Sequence, residues 1–327
     1  MATTLKMRAR TTELPYGKTS STVLESILDG IETEFNTTPD RLTLQQLTMT
    51  GVDEFHVGGG EATMHAINKL DIEDGDRILD IGCGLGGPAR RIAHKFPTCT
   101  VIGIDMTPEY ISVGQAINEW ETIKGQLGGR VELIEGDVTN MKRIPSESID
   151  KAYCLHVGMN IKHKDKLAKE LYRVLKPGGR IIFFEQMANP SPPMQSSSWG
   201  YFCVCTGNRT PADDINRRLS YPVPWAYGPE VSHCATPQAY KFVFEDAGLL
   251  FLSRLEENRS KKAVEWMNTM QSNMMWHFAT NLTSYPPPLS VGLLMGPDFK
   301  AKVSNYKAAV QDELLVVMEL AFAKPFD

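Results

Sequence analysis

Long apolar runs are missing from this 327-residue sequence. None approaches the ~18 residues that cross a bilayer as a helix, and no secretory apolar core stands near the start. The six cysteines (Cys83, Cys99, Cys154, Cys203, Cys205, Cys234) show no C-x-x-C spacing. That argues against a zinc ribbon or a disulfide framework, predicts no metal site, and leaves reduced thiols in a cytoplasmic protein. Excess positive charge is also missing. The net charge is −5, which weighs against a nucleic-acid partner. Internal repeats and low-complexity tracts are absent. Without a secretory signal, the sequons at Asn36, Asn208, Asn258 and Asn281 carry no weight.

What is present is the composition of a globular chain, 42% hydrophobic and 22% charged. Such a chain can bury a full core. Four regions follow. Residues 1–17 begin "MATTLKMRARTT", basic and free of acid; this reads as a disordered leader, and an organelle transit peptide has the same composition. Residues 18–74 read as helices. Val23, Leu24, Ile27, Leu28 and Ile31 fall at helical spacing, and "GGGEATMHAINKL" forms another helix entered through glycines. Residues 75–187 alternate. Strands are expected at 77–81, 100–105, 131–137, 149–157 and 180–186, with helices at 88–96, 107–123 and 164–176. Such alternation means an α/β, doubly wound, mostly parallel sheet. Residues 188–327 break the pattern: a loop, an aromatic stretch at 199–227, a helix at 236–248, a methionine-rich helix at 260–282 and a final helix at 297–321.

The strand "RILDI" runs into "GCGLGG" at 82–87. Read loosely this is G-x-G-x-x-G, the turn that carries a dinucleotide pyrophosphate at a helix N-terminus. Asp80, two residues before Gly82, argues against that ligand. A fixed carboxylate would repel a pyrophosphate by on the order of 3 kcal/mol at ~5 Å and an effective dielectric of ~20. A ligand with a cation there is attracted instead, and S-adenosylmethionine offers an ammonium and a sulfonium. Asp105 ends the second strand, where a carboxylate accepts from ribose hydroxyls. Asp137 ends the third, placed to accept from an adenine amine while Val138 packs on the ring.

"ILDIGCGLGGPARRIA", "GIDMTPEYI", "EGDV" and "RVLKPGG", in this order over roughly 75–186, resemble the class I S-adenosylmethionine-dependent methyltransferases. The resemblance implies a Rossmann-like, seven-stranded, mostly parallel sheet with an antiparallel last hairpin and a helical substrate lid. It implies that Gly82 and Gly84 approach the methionyl part, that Asp105 and its neighbour Met106 contact the nucleoside, and that Asp137 and Val138 bind adenine.

Three further stretches, "FHVGGGEAT", "LHVGMNIKHKD" and the aromatic segment with "YPVPWAYGPE", resemble a small-molecule subgroup that includes sarcosine and dimethylglycine N-methyltransferases. The resemblance implies a small amine as acceptor. "GGPARRIA" is also similar to sterol C-methyltransferases, which keeps C- or O-methylation of an apolar acceptor such as a sterol or quinone open. A catalytically silent partner subunit is a third reading. His156, at a strand end, is the expected catalytic histidine, as base or hydrogen-bond donor. His56 and Asn160 are expected at the acceptor. Trp225 and Tyr227 suit a cation-binding wall, and the same aromatics suit a lid or a homodimer contact.

Overall fold

The computed structural model describes residues 53–54, 56–123, 125, 127–191, 211–279 and 298–326. The expected helices of 20–50, and Trp199, Tyr201 and Phe202 of the aromatic stretch, lie outside them.

In chain order the elements are α1 (Gly59–Ile67), β1 (Arg77–Ile81), α2 (Gly87–Lys95), β2 (Thr100–Asp105), α3 (Pro108–Ile123), β3 (Arg130–Glu135), β4 (Ile149–Leu155), α4 (Lys164–Val174) and β5 (Leu175–Ala188). Then come α5 (Pro211–Arg218), α6 (Pro237–Asp246), β6 (Leu250–Phe251), β7 (Glu257–Asn258), α7 (Ser260–Ala279), α8 (Phe299–Gln311) and β8 (Leu315–Ala323).

The strands form one sheet of eight in the order β3-β2-β1-β4-β5-β8-β6, with β7 also on β8. β1 to β5 pair in parallel, and β8 is antiparallel to β5. Seven strands were expected and eight are found among the described residues. The seventh position is occupied by two dipeptide strands, β6 and β7, separated by a short 3-10 turn at Ser253–Leu255.

A second expectation is corrected at the C-terminal end. Residues 297–321 read as one helix, but α8 ends at Gln311 and "LVVMELAFA" is strand β8. Each of its residues is registered against β5, from Arg180↔Ala323 to Ala188↔Leu315. Cross-strand pairing decides the state of a short apolar run that periodicity alone leaves ambiguous.

Alternation along the strands builds two cores. Ile78, Val101, Tyr153, Ile182 and Phe184 face one side, with Ala66 and Ile67 of α1 and Ile92 of α2. Leu79, Ile102, Cys154, Ile181 and Phe183 face the other, with Leu167 and Leu171 of α4 and Phe244 of α6. A sheet covered on both faces needs strands apolar on both faces, and in β1 every residue from Ile78 to Ile81 is buried.

Strand order reverses between β1 and β4, its neighbour on the other side. Ligands bind outside the carboxyl ends of strands at such a switch point. β1, β2 and β4 therefore deliver Asp80, Asp105 and His156 to one place.

Candidate active site

A cavity of about 310 Å³ opens at that switch point. Asp80, Gly82, Gly84, Asp105, Met106, Asp137, Val138, His56, His156 and Asn160 all line it. Every cofactor residue expected from the sequence is therefore at one cavity, with three of the five residues expected at the acceptor.

The glycine turn has backbone angles that require glycine. Gly82 has φ 69° and Gly84 φ 52°, the left-handed region that L side chains avoid. Gly82 donates its N–H to the Ile104 carbonyl at 2.8 Å, and a Cβ there would collide with both methyls of Val157. Gly84 has open space where a Cβ would be. Gly82 is thus needed for packing as well, while Gly84 presents bare backbone to the cavity.

Asp105 fastens this turn. Its Oδ2 accepts from the Gly84 N–H at 3.0 Å and its Oδ1 from the Thr107 N–H at 2.8 Å. Burial pushes its carboxyl above the usual range, opposed by those two N–H groups. Asp137 is exposed, and its Oδ1 accepts from the N–H and hydroxyl of Thr139. Val138 is buried beside it, while Met106 leaves 61% of its surface exposed on the cavity wall.

Asp80 is the outlier. It is 2% exposed, and its Oδ2 has no hydrogen-bond partner among the described residues. Burial pushes its carboxyl up to about 8, with Asp105 adding to the rise and Tyr153 opposing it. A buried carboxylate without a partner is costly. A cationic ligand at this turn would supply the missing partner, and a phosphate would aggravate the cost. The donor set therefore fits S-adenosylmethionine.

On the acceptor side, His156 sits at φ 55° directly after β4. Its Nδ1 donates to Gln186 Oε1, and its Nε2 is buried without a partner among the described residues. With the proton on Nδ1, Nε2 carries the lone pair, so the ring accepts a hydrogen bond rather than donating one. Burial pushes the imidazole down to about 3, and His56 adds to the depression. A group so weakly basic gives little driving force for taking a proton at neutral pH.

His56 lies parallel to it, with 5.9 Å between centroids, and Phe184 meets both rings edge-on. Both nitrogens of His56 are within reach of the chain's own groups, Val57 O at 3.1 Å and Thr63 Oγ1 at 2.8 Å. It thus offers a ring face to the cavity, not a polar edge.

A family model described as a methyltransferase domain matches residues 79–183. The chain carries a methyltransferase domain. Over 156 residues it is 36% identical to a sterol 24-C-methyltransferase of Eremothecium gossypii, covering 48% of this chain and 36% of that protein. Over 138 residues it is 32% identical to phosphoethanolamine N-methyltransferase 1 of Arabidopsis thaliana, covering 42% of this chain and 26% of that one. The chain spans about a third or less of the length of these curated relatives. Among solved structures, phosphoethanolamine N-methyltransferase 2 of Haemonchus contortus, bound to phosphomonomethylethanolamine and S-adenosylhomocysteine, superposes with a TM-score of 0.62. It is 18% identical and covers 91% of this chain and 60% of its own. That likeness concerns the fold.

Two expected acceptor residues are not brought to the methyltransferase domain's cavity. Trp225 is 1% exposed, donates its indole N–H to Ser232 Oγ at 3.0 Å and packs edge-on against Tyr306. Tyr227 is exposed, and the Lys302 ammonium already sits over its ring at 4.3 Å and donates to its hydroxyl at 3.0 Å. Trp225 belongs to the core, the ring of Tyr227 is already covered by a cation of the chain itself, and neither lines the cavity. His163, three residues after Asn160, also lines the cavity.

The segment before the sheet supplied residues the sequence did not flag. Asp53 lines the cavity and pairs with Arg90 of α2 at 2.7 Å, both buried. The Gly87 N–H donates to the Asp53 carbonyl at 3.2 Å. Thr63 donates to Glu54 at 2.8 Å, and Glu54 pairs with Arg91 at 2.5 Å. These ties dock the His56 segment onto the helix that follows the glycine turn. The adjacent basic pair in "PARR", opposite the acidic pair in "DE", was the available signal. A separate cluster, His65, Glu257 and Glu319, has metal-ligand side chains. Lys69 already bonds both carboxylates, so the cluster is an ion-pair network joining α1 to β7 and β8.

Proposed function

We propose that this chain transfers a methyl group from S-adenosylmethionine to a small-molecule acceptor, most directly an amine nitrogen. The observation that carries the reading is Asp80, a buried carboxylate with an unpartnered oxygen at the glycine turn. Asp80 and the Gly84 backbone would hold the amino-acid end of the cofactor. Asp105 would take the ribose hydroxyls, and Asp137, Val138 and Met106 the adenine. The cofactor supplies an electrophilic methyl on a sulfonium. The chain's work is positioning and exclusion of water, and Leu155, Val157 and Ile161 give the cavity an apolar wall.

His156 holds a lone pair on Nε2 and is neutral at pH 7. It suits an acceptor that brings an N–H or O–H to it and does not need a strong base. An amine fits, because it loses its proton to solvent before it binds. A second reading, C-methylation of an apolar acceptor such as a sterol, is favoured by the 36% identity to a sterol 24-C-methyltransferase.

The test has two arms. Asp105→Ala should abolish S-adenosylhomocysteine binding by calorimetry; unaltered affinity refutes the cofactor assignment. An acceptor screen by mass spectrometry, over glycine, sarcosine, dimethylglycine, phosphoethanolamine and a sterol, decides the acceptor. Turnover of the sterol alone replaces the amine reading with the second one. No turnover of any acceptor leaves a silent cofactor-binding subunit.

A further inference from the structure

Directly behind the cavity wall lies a cluster of buried ionisable groups that the proposed chemistry does not use. Glu185 on β5 is fully buried. Its Oε1 accepts from the Val157 N–H at 3.1 Å and from the Cys154 thiol at 3.1 Å. Its Oε2 has no partner among the described residues. Lys164, the first residue of α4, is 8% exposed, and its Nζ donates to the Ile161 carbonyl at 2.8 Å and the His233 carbonyl at 2.7 Å.

These two groups grip opposite ends of one loop. Glu185 takes an N–H where the chain leaves β4, and Lys164 takes a carbonyl where it enters α4. Between those points the loop carries Val157, which packs on Gly82, and Asn160, which lines the cavity. His156 stands at the entry to the loop in a left-handed conformation. That conformation is unfavourable for a non-glycine residue and persists only where the surroundings enforce it.

We infer that Glu185 and Lys164 are positioning residues that together hold the 156–161 loop in the shape that presents His156 to the acceptor. The activity part of this inference rests on the methyl-transfer reading. The loop part does not.

The groups facing Glu185 are Cys154 on β4, the Val157 and Gly158 N–H groups, Lys164 on α4, Tyr240 on α6, Cys234 ahead of it and Tyr306 on α8. Facing Lys164 are Glu185, Cys154, Cys234 ahead of α6, the ring of Tyr240 on α6 at 5.5 Å, and His233, whose imidazole burial pushes down. Burial pushes the thiols of Cys154 and Cys234 and the hydroxyls of Tyr240 and Tyr306 up, so all four are neutral at pH 7. Burial pushes Glu185 up to about 7 and Lys164 down to about 8. Glu185 loses its charge as pH falls through about 7, and Lys164 loses its charge as pH rises through about 8. A hydrogen bond to an ionised group is the stronger kind, so the loop is held best where both are charged.

The test is hydrogen–deuterium exchange of the peptide spanning 156–162, in wild type, Glu185→Gln and Lys164→Met, without cofactor. The Val157 amide should exchange about tenfold faster in both variants, the loss of one charge-assisted hydrogen bond. S-adenosylhomocysteine affinity should stay within about twofold while kcat falls about tenfold. The acid limb of the kcat profile near pH 7 should vanish in Glu185→Gln. Unchanged protection in both variants, or an acid limb that persists in Glu185→Gln, overturns the inference.

If neither variant melts cooperatively, wild type alone suffices. Val157 protection, corrected for intrinsic exchange, should be lower at about pH 6 than at about pH 7.5, and equal protection overturns the inference. A wild-type protein that shows this contrast but turns over no acceptor supports the loop clamp and overturns the methyl-transfer reading.

Discussion

The imidazole rings of His56 and His156 lie parallel, 6° apart in plane and 5.9 Å between centroids. One precedes the sheet and the other directly follows β4. Stacking two imidazoles in a buried site keeps both neutral, since a charge on either would be desolvated. The pair is therefore a hydrogen-bonding and packing surface rather than an acid–base couple.

Replacing His156 should separate chemistry from cofactor binding. His156→Ala is expected to lower kcat by about tenfold or more, an interaction made chiefly in the transition state. S-adenosylhomocysteine affinity should hold within about twofold. Calorimetry alongside steady-state kinetics checks this, and a parallel collapse of affinity would show that His156 serves the cofactor instead.

The same residue sets an acid sensitivity. Its folded value lies near 3 against an ordinary 6.5. Below about pH 6.5 the unfolded chain binds a proton that the folded chain refuses, so stability falls as pH drops from about 6.5 toward 3. Urea melts across that range should show the fall in wild type and a shallower one in His156→Asn.

Asp80 should show the opposite trade. Its folded value is raised to about 8, so its burial favours the protonated form, and stability is lost as pH rises from about 4 through 8. Asp80→Asn should stabilise the cofactor-free protein at pH 8 by about 1–3 kcal/mol. It should also weaken cofactor binding at least about tenfold. Thermal melts with and without S-adenosylhomocysteine measure both effects, and a destabilised variant would refute the account of Asp80 as an unsatisfied charge.

The two turn glycines should fail differently. Gly82→Ala meets Val157 as well as a left-handed backbone, and should destabilise by about 2–3 kcal/mol. Gly84→Ala meets open space, so the backbone cost of about 1 kcal/mol remains, but the new methyl projects where the cofactor should lie. Gly84→Ala should therefore keep most stability and lose affinity. Melts and calorimetry on the pair separate the roles.

Trp225 should report on packing alone. Trp225→Ala is expected to cost about 3–5 kcal/mol, while Trp225→Phe gives up chiefly the bond to Ser232. Among variants that remain folded, KM for the acceptor should not move. A selective rise in KM would return Trp225 to the acceptor site.

The cofactor half of the site was legible in the sequence because parallel strands end at one edge, and each strand carries its functional acid within a few residues of that end. Asp80, Asp105 and Asp137 could be placed by counting from the strands. The acceptor half was legible only in part. His156 and Asn160 follow β4 directly, and His56 was flagged from a local motif. Trp225 and Tyr227 were misread because an aromatic's chemistry is the same in a core as in a pocket, and only its neighbours decide between them. Here those neighbours are Ser232, Tyr306 and Lys302.

The sequence alone determined the doubly wound sheet, the glycine turn and a preference for a cationic over an anionic ligand. Each follows from local periodicity, from backbone angles that only glycine adopts freely, or from the sign of a nearby charge. Tertiary structure decided the rest. It split the edge strand, turned the last apolar run into β8, stacked His56 on His156, and set Glu185 and Lys164 behind the loop. Those outcomes depend on contacts between residues far apart in the chain, and pairing energy across such distances leaves no period in the sequence to read.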